Sequence, residues 1–198
     1  EMQGLYRRRL TGQMDALLSL LRARGRADLL GAAQDEALEA VRRLDAWHLA
    51  HVGHELAEFE TLWRPSERDA IATHRAQVAA LLDDCEALAI AGGNVAVLLN
   101  RLRLLGVDAL LRSRPVLAWS AGAMVLAERI VIYHDAPPQG AGYPEVFAPG
   151  IGLVAGVLPL PHAHRRLRLD DAERVSVFAR RFAPLQAAAL DDGARVVW

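Results

Sequence analysis

The sequence contains no lysine: all 23 of its basic residues are arginine. Schiff-base chemistry, a P-loop and a serine–lysine dyad each need a primary amine at the reacting centre, so this chain runs none of them. A single cysteine, Cys85, excludes an internal disulfide and any cysteine-rich metal site. It precedes a short apolar stretch and reads as a packing residue. No apolar run reaches the ~20 residues that span a bilayer, and no signal-peptide pattern opens the sequence. Both features point to the cytoplasm and to no membrane partner. Charge of one sign is lacking too. A net charge of −1 gives no electrostatic case for nucleic acid or anionic lipid. Internal repeats and low-complexity segments are absent.

What is present is a chain of 198 residues, 53% hydrophobic and 24% charged, enough for one substantial core. Leu10, Met14, Leu17 and Leu21 recur at helical spacing and predict a helix over 3–24. A second runs from about Asp35 to Trp63, with an apolar stripe of Leu49, Val52, Leu56, Phe59 and Trp63. The short link between them predicts an antiparallel hairpin over 1–65, an extension of the remaining chain or an insertion into it. Pro65 ends it, and Ser66 with Asp69 reads as the cap of a third helix. His48, His51 and His54 invite a metal site, but steps of three residues fan them apart. They read as a solvated polar flank, and no metal or cofactor is expected.

Over 66–198 the pattern changes to short strands alternating with helices. Strands are predicted at 87–91, 116–119, 130–133, 156–160, 186–190 and 195–198, with 136–152 a Pro/Gly-rich loop. The class is α/β, a doubly wound, mostly parallel sheet with helices on both faces. Such a sheet normally opens with a strand, so one or more strands are expected ahead of residue 1.

The chemistry centres on Ser120, between the apolar run Val116–Trp119 and the small residues Ala121, Gly122 and Ala123. This is the layout of a nucleophile elbow, where a tight strand-to-helix turn exposes a serine hydroxyl and backbone amides face developing negative charge. A serine needs a base and a third group to orient that base. His162 follows a strand and so lies at the sheet edge where Ser120 emerges. His134 reads as structural, and His164 as an exposed neighbour among Arg165, Arg166 and Arg168. For the orienting acid, Asp192 is preferred and Asp135 is the alternative. The Ala121 N–H and the Gly92-Gly93-Asn94 turn supply donors for an oxyanion, with Gly92 and Asn94 lining the substrate.

These residues resemble the dipeptidase E and cyanophycinase serine peptidases. Ala-Gly-Gly-Asn at 91–94, Trp-Ser-Ala-Gly-Ala at 119–123, Asp135-Ala136-Pro137, Pro161-His162 and Leu-Asp-Asp-Gly at 190–193 occur in that family's order. The resemblance covers roughly 85–198 and implies a class I glutamine amidotransferase-like fold. It further implies Ser120 as nucleophile, His162 as base, and the backbone of Gly93 and Ala121 as oxyanion donors. In cyanophycinase-like members the acid falls on Asp192; in dipeptidase E the proposed acid falls on Asp135. Three positions depart from the pattern: Ala118 replaces a glycine, Ala163 an aromatic residue, and Asp192 a longer glutamate. The expected activity is hydrolysis of an amide bond in a small peptide or acidic amino-acid conjugate. The alternative is an inactive binding or assembly module, with the hairpin making a homodimer.

Overall fold

The computed structural model describes residues 1–133 and 142–198. Helix α1 (Met2–Arg22) and helix α2 (Ala27–Trp63) pack side by side as the expected hairpin. The buried side of α1 is Tyr6, Leu10, Met14, Leu17 and Leu18. That of α2 is Leu38, Val41, Leu44, Asp45 and His48, one stripe earlier in sequence than the periodicity suggested. Of the predicted stripe, Leu49 and Val52 are partly buried against the core, whereas Phe59 and Trp63 are exposed. Arg64 ends α2 in the left-handed region (φ 42°), and Pro65 comes next. Ser66 does not cap the next helix. It lies in a 3-10 turn over Pro65–Glu67, and α3 (Asp69–Asp83) begins after Arg68 with no side-chain cap.

The body alternates short strands and helices, as an α/β chain does. In order these are β1 (Leu88–Ile90), α4 (Val95–Leu104), α5 (Val107–Leu110), β2 (Val116–Ala118), α6 (Ala121–Leu126) and β3 (Arg129–Ile132). Then come β4 (Glu145–Pro149), β5 (Val157–Pro161), α7 (Ala163–Arg166), α8 (Ala172–Phe182) and β6 (Gln186–Leu190). Every residue of α6 and of β5 is buried. An element apolar on all sides belongs in the centre of a fold, and both are there.

One continuous doubly wound sheet is not what the described strands form. They make three pairs: β1 with β2 parallel, β3 with β4 antiparallel, and β5 with β6 parallel. The sequence of β5 gives a physical reason. Along a parallel strand, alternate residues bond to opposite neighbours. His162 donates its N–H to Leu190 and Gly156 accepts from Gln186, so the even-numbered residues face β6. The opposite edge then carries Pro159 and Pro161, which have no N–H to offer. At that edge the Pro161 carbonyl is met by a side chain instead, the Tyr133 hydroxyl at 2.6 Å.

Two further expectations fail. Strand β4 forms inside the stretch predicted as loop, because it pairs with β3 and packs on α2. Residues 195–198 form no strand, and Trp198 is 69% exposed.

The hairpin shares its core with the body: Tyr6, Leu10 and Val41 lie in one apolar cluster with Ile130, Val146, Leu158 and Phe182. A buried polar group pins the junction. Arg181 of α8 grips the Asp45 carboxylate with two bonds of 2.7 Å and reaches the Tyr6 hydroxyl at 2.9 Å. Tyr6 donates to Asp45 at 2.7 Å and accepts from the Val146 N–H at 3.1 Å. Burial disfavours the Arg181 charge, but hydrogen bonds and charge attraction from Asp45 and Tyr6 together outweigh this and raise its pKa. His48 stacks on Tyr6 with centroids 4.1 Å apart and holds Gln3 through Nε2 at 2.9 Å. The three histidines do diverge, with His51 and His54 exposed. His48, however, is fully buried rather than solvated, because α1 lies over it.

Candidate active site

Strand β2 ends at Ala118 and α6 begins at Ala121, so Ser120 sits on the sharp turn between them. Its backbone is at φ 55°, ψ −128°, outside the regions that L-residues normally occupy. Such a conformation costs on the order of 1–3 kcal/mol and persists only where packing imposes it. The packing is visible. A Cβ placed on Gly122 would lie 2.2 Å from the Ile90 carbonyl oxygen, so only glycine lets α6 pass the end of β1. A Cβ on Gly92 would lie 2.7 Å from the Ser120 Cβ and 2.8 Å from its hydroxyl oxygen. The Gly92-Gly93-Asn94 turn and the serine are therefore in direct contact.

The same neighbourhood offers unused donors. Ala121 is buried, and among the described residues its N–H and that of Gly93 have no hydrogen-bond partner. Gly93 is at φ 136°, with open space where a side chain would stand. Asn94 plays a structural part, its side-chain oxygen capping α4 by accepting from the N–H groups of Ala96 and Val97, each at 3.1 Å.

His162 follows β5 directly and is half-buried, with a left-handed backbone (φ 58°, ψ 38°). Arg64, Ser120 and His162 are the non-glycine residues with positive φ among those described. Arg64 ends a helix; the other two are the nucleophile and base expected from the sequence. The Ser120 hydroxyl and the His162 imidazole share no hydrogen bond here, nor does either bond another described group. Such bonds are often loose in unliganded enzymes and tighten when substrate binds.

The acids divide differently from expectation. Asp192 is exposed and takes no hydrogen bond among the described residues. Its neighbour Asp191 holds an imidazole, that of His164, with Oδ2 2.6 Å from Nδ1. That hydrogen bond is the main reason the Asp191 carboxyl is held below the usual carboxylate range. Sequence reasoning passed over this pair because an Asp-Asp-Gly turn does not say which carboxylate faces inward. Asp135 and His134 lie outside the described residues.

One further expectation fails. Cys85 is exposed at the end of α3, its thiol on the Leu81 carbonyl at 3.3 Å, and so is not packed in the core. Among the described residues no cluster of His, Cys, Asp or Glu could hold a metal ion, and no helix is long and apolar enough to cross a membrane. An apolar cavity of about 250 Å³ lies between α1, α8 and the β5–β6 pair, and neither Ser120 nor His162 lines it.

Comparison with known proteins adds one finding. The model of peptidase family S51 matches residues 40–198, beginning inside α2, well before the first motif at residue 91. No curated protein and no solved structure matches the chain.

Proposed function

The chain belongs to peptidase family S51, the dipeptidase E and cyanophycinase family, which implies a hydrolase of the serine peptidase type, and on that premise we propose that it cleaves an amide bond in a small peptide or acidic amino-acid conjugate through Ser120. The observation that carries the proposal is the backbone of Ser120, forced to positive φ with Gly92 packed against its hydroxyl. A protein keeps a strained non-glycine turn of this kind where the strain has a use.

In this reading the Ser120 oxygen attacks the substrate carbonyl while His162 takes its proton. The tetrahedral oxyanion is held by the N–H groups of Gly93 and Ala121, donors with no other partner among the described residues. His162 returns the proton to the leaving amine, and an ester on Ser120 remains. Water, deprotonated by His162, then releases the acid and restores the hydroxyl. Asp192 is assigned as the acid that orients His162, with Asp135 the alternative. Gly92 and Asn94 line the substrate beside the oxyanion donors.

The test is labelling with a serine-directed fluorophosphonate, comparing wild type with Ser120→Ala. Labelling that depends on Ser120 supports the enzyme. Its absence favours the second reading, a catalytically silent module that self-associates through the hairpin. One observation favours that reading: Phe59, Leu62 and Trp63 leave 47%, 77% and 59% of their surface exposed at one end of α2. A dimer mass lost on Leu62→Glu substitution would support it.

A further inference from the structure

Asp191 and His164 have no part in the reaction as written, yet His164 lies on the turn that presents its base and Asp191, just past β6, is bonded to it. The turn is tied down on both sides of His162. Before it, the Pro161 carbonyl accepts from the Tyr133 hydroxyl at 2.6 Å. At it, the His162 N–H donates to the Leu190 carbonyl at 3.0 Å, the last rung between β5 and β6. Beyond it, the Asp191 carboxylate is shared. Oδ1 accepts the His164 backbone N–H at 3.1 Å, and Oδ2 meets the His164 ring at 2.6 Å. Asp191 is itself anchored, its carbonyl accepting from the Ala194 N–H at 2.9 Å.

Between these anchors His162 keeps a left-handed backbone that a non-glycine residue adopts only under constraint. We infer that Asp191 and His164 are positioning residues, a clamp that fastens the His162–His164 turn to the end of β6 and fixes the placement of the His162 imidazole. This rests on the serine-hydrolase reading for its purpose, though not for its geometry. An exposed ion pair alone would matter little, and the His164 side chain is 76% exposed. The backbone bond is what gives the clamp its effect, because it holds the peptide itself. Asp192, one residue on, is exposed and holds nothing among the described residues.

The charged and titratable groups around the turn are His164, Arg165 and Arg166 on α7, Asp191 and Asp192 after β6, and Tyr133 after β3. The experiment follows the His162 ring chemical shifts by NMR at a single pH in the full chain, for wild type, Asp191→Ala, Asp191→Asn and His164→Gln. The fluorophosphonate labelling rate of Ser120 is measured on the same samples. In Asp191→Ala the His162 ring resonances should move and broaden as the turn loosens. Its labelling should slow by about 10- to 100-fold, the scale of a displaced catalytic group.

Asp191→Asn keeps an acceptor for the His164 N–H. It should recover most of the labelling and most of the wild-type His162 ring shifts, a rescue that general loss of structure would not produce. His164→Gln keeps the backbone bond and should slow labelling least. If Asp191→Ala does not fold, the same ring shifts read in Asp191→Leu, which fills the space but offers no acceptor, carry the test. His162 ring shifts left unchanged when the Asp191 acceptor is removed overturn the inference. Absence of Ser120-dependent labelling in wild type overturns the serine reading instead, and the NMR arm still decides the clamp.

Discussion

At the junction of α1, α2 and α8, Arg181 and Asp45 expose 1% and 4% of their side chains, and the bonds among Arg181, Asp45 and Tyr6 are short and mutual. At the turn after β2 and at the turn after β5, polar groups are left open. The Ser120 hydroxyl, the His162 ring and two backbone N–H groups have no described partner, and the backbone there is strained. The first region commits its polar groups to each other and so fixes how the hairpin meets the body. The second leaves them uncommitted. Buried charge without partners is unstable, whereas a half-buried hydroxyl and imidazole cost less to leave free. The contrast separates polarity spent on packing from polarity that the proposed reaction would use.

The comparison can be broken at either end. Ser120→Ala should remove fluorophosphonate labelling and cut hydrolysis of a cleavable peptide by at least ~10³-fold, with the urea midpoint hardly moved. Arg181→Met should leave the Asp45 carboxylate buried without its cation. A loss of about 3–5 kcal/mol is expected in urea unfolding, because breaking a buried pair strands a charge. If Arg181→Met unfolds like wild type, the junction is not held as described. Gly92→Ala would drive a methyl into the serine hydroxyl. It should slow labelling by about 10- to 100-fold while hardly moving the melting temperature, since Gly92 is exposed.

The smallest effect concerns acid. Burial lowers the pKa of His48 from its ordinary 6.5, so the folded chain keeps this ring neutral where the unfolded chain protonates it. Its contribution is complete above about pH 6.5 and is lost as pH falls, because the unfolded state then binds more protons. Urea midpoints between pH 7.5 and pH 5.5 should fall less steeply in His48→Gln than in wild type. An identical slope would show that His48 is not the group responsible.

Much of this was legible in the sequence, and the misses have physical causes. Local patterning found the helices of the hairpin and strands β1, β2, β5 and β6. Ser120 was legible because a strand followed by small residues can make only a few kinds of turn. Strand β4 was not, because Pro144, Pro149 and Gly150 mask a strand that exists only by pairing with β3. His48 was misread because helical spacing tells which residues share a face, not which face another helix will cover. Arg181 carried a faint signal, a lone cation on the apolar face of Val177, Phe178 and Phe182, but its partner lies 136 residues away.

Periodicity, turn chemistry and the order of a few motifs determined the class of fold, the strained serine turn and the family-like set of candidate residues. These are short-range properties, set by sterics within a few residues of each position. Tertiary structure alone decided that the hairpin shares the body's core, that two prolines remove donors from one edge of β5, and that Asp191 rather than Asp192 holds an imidazole. Each depends on which surfaces meet across long stretches of chain, and side-chain spacing carries no record of that.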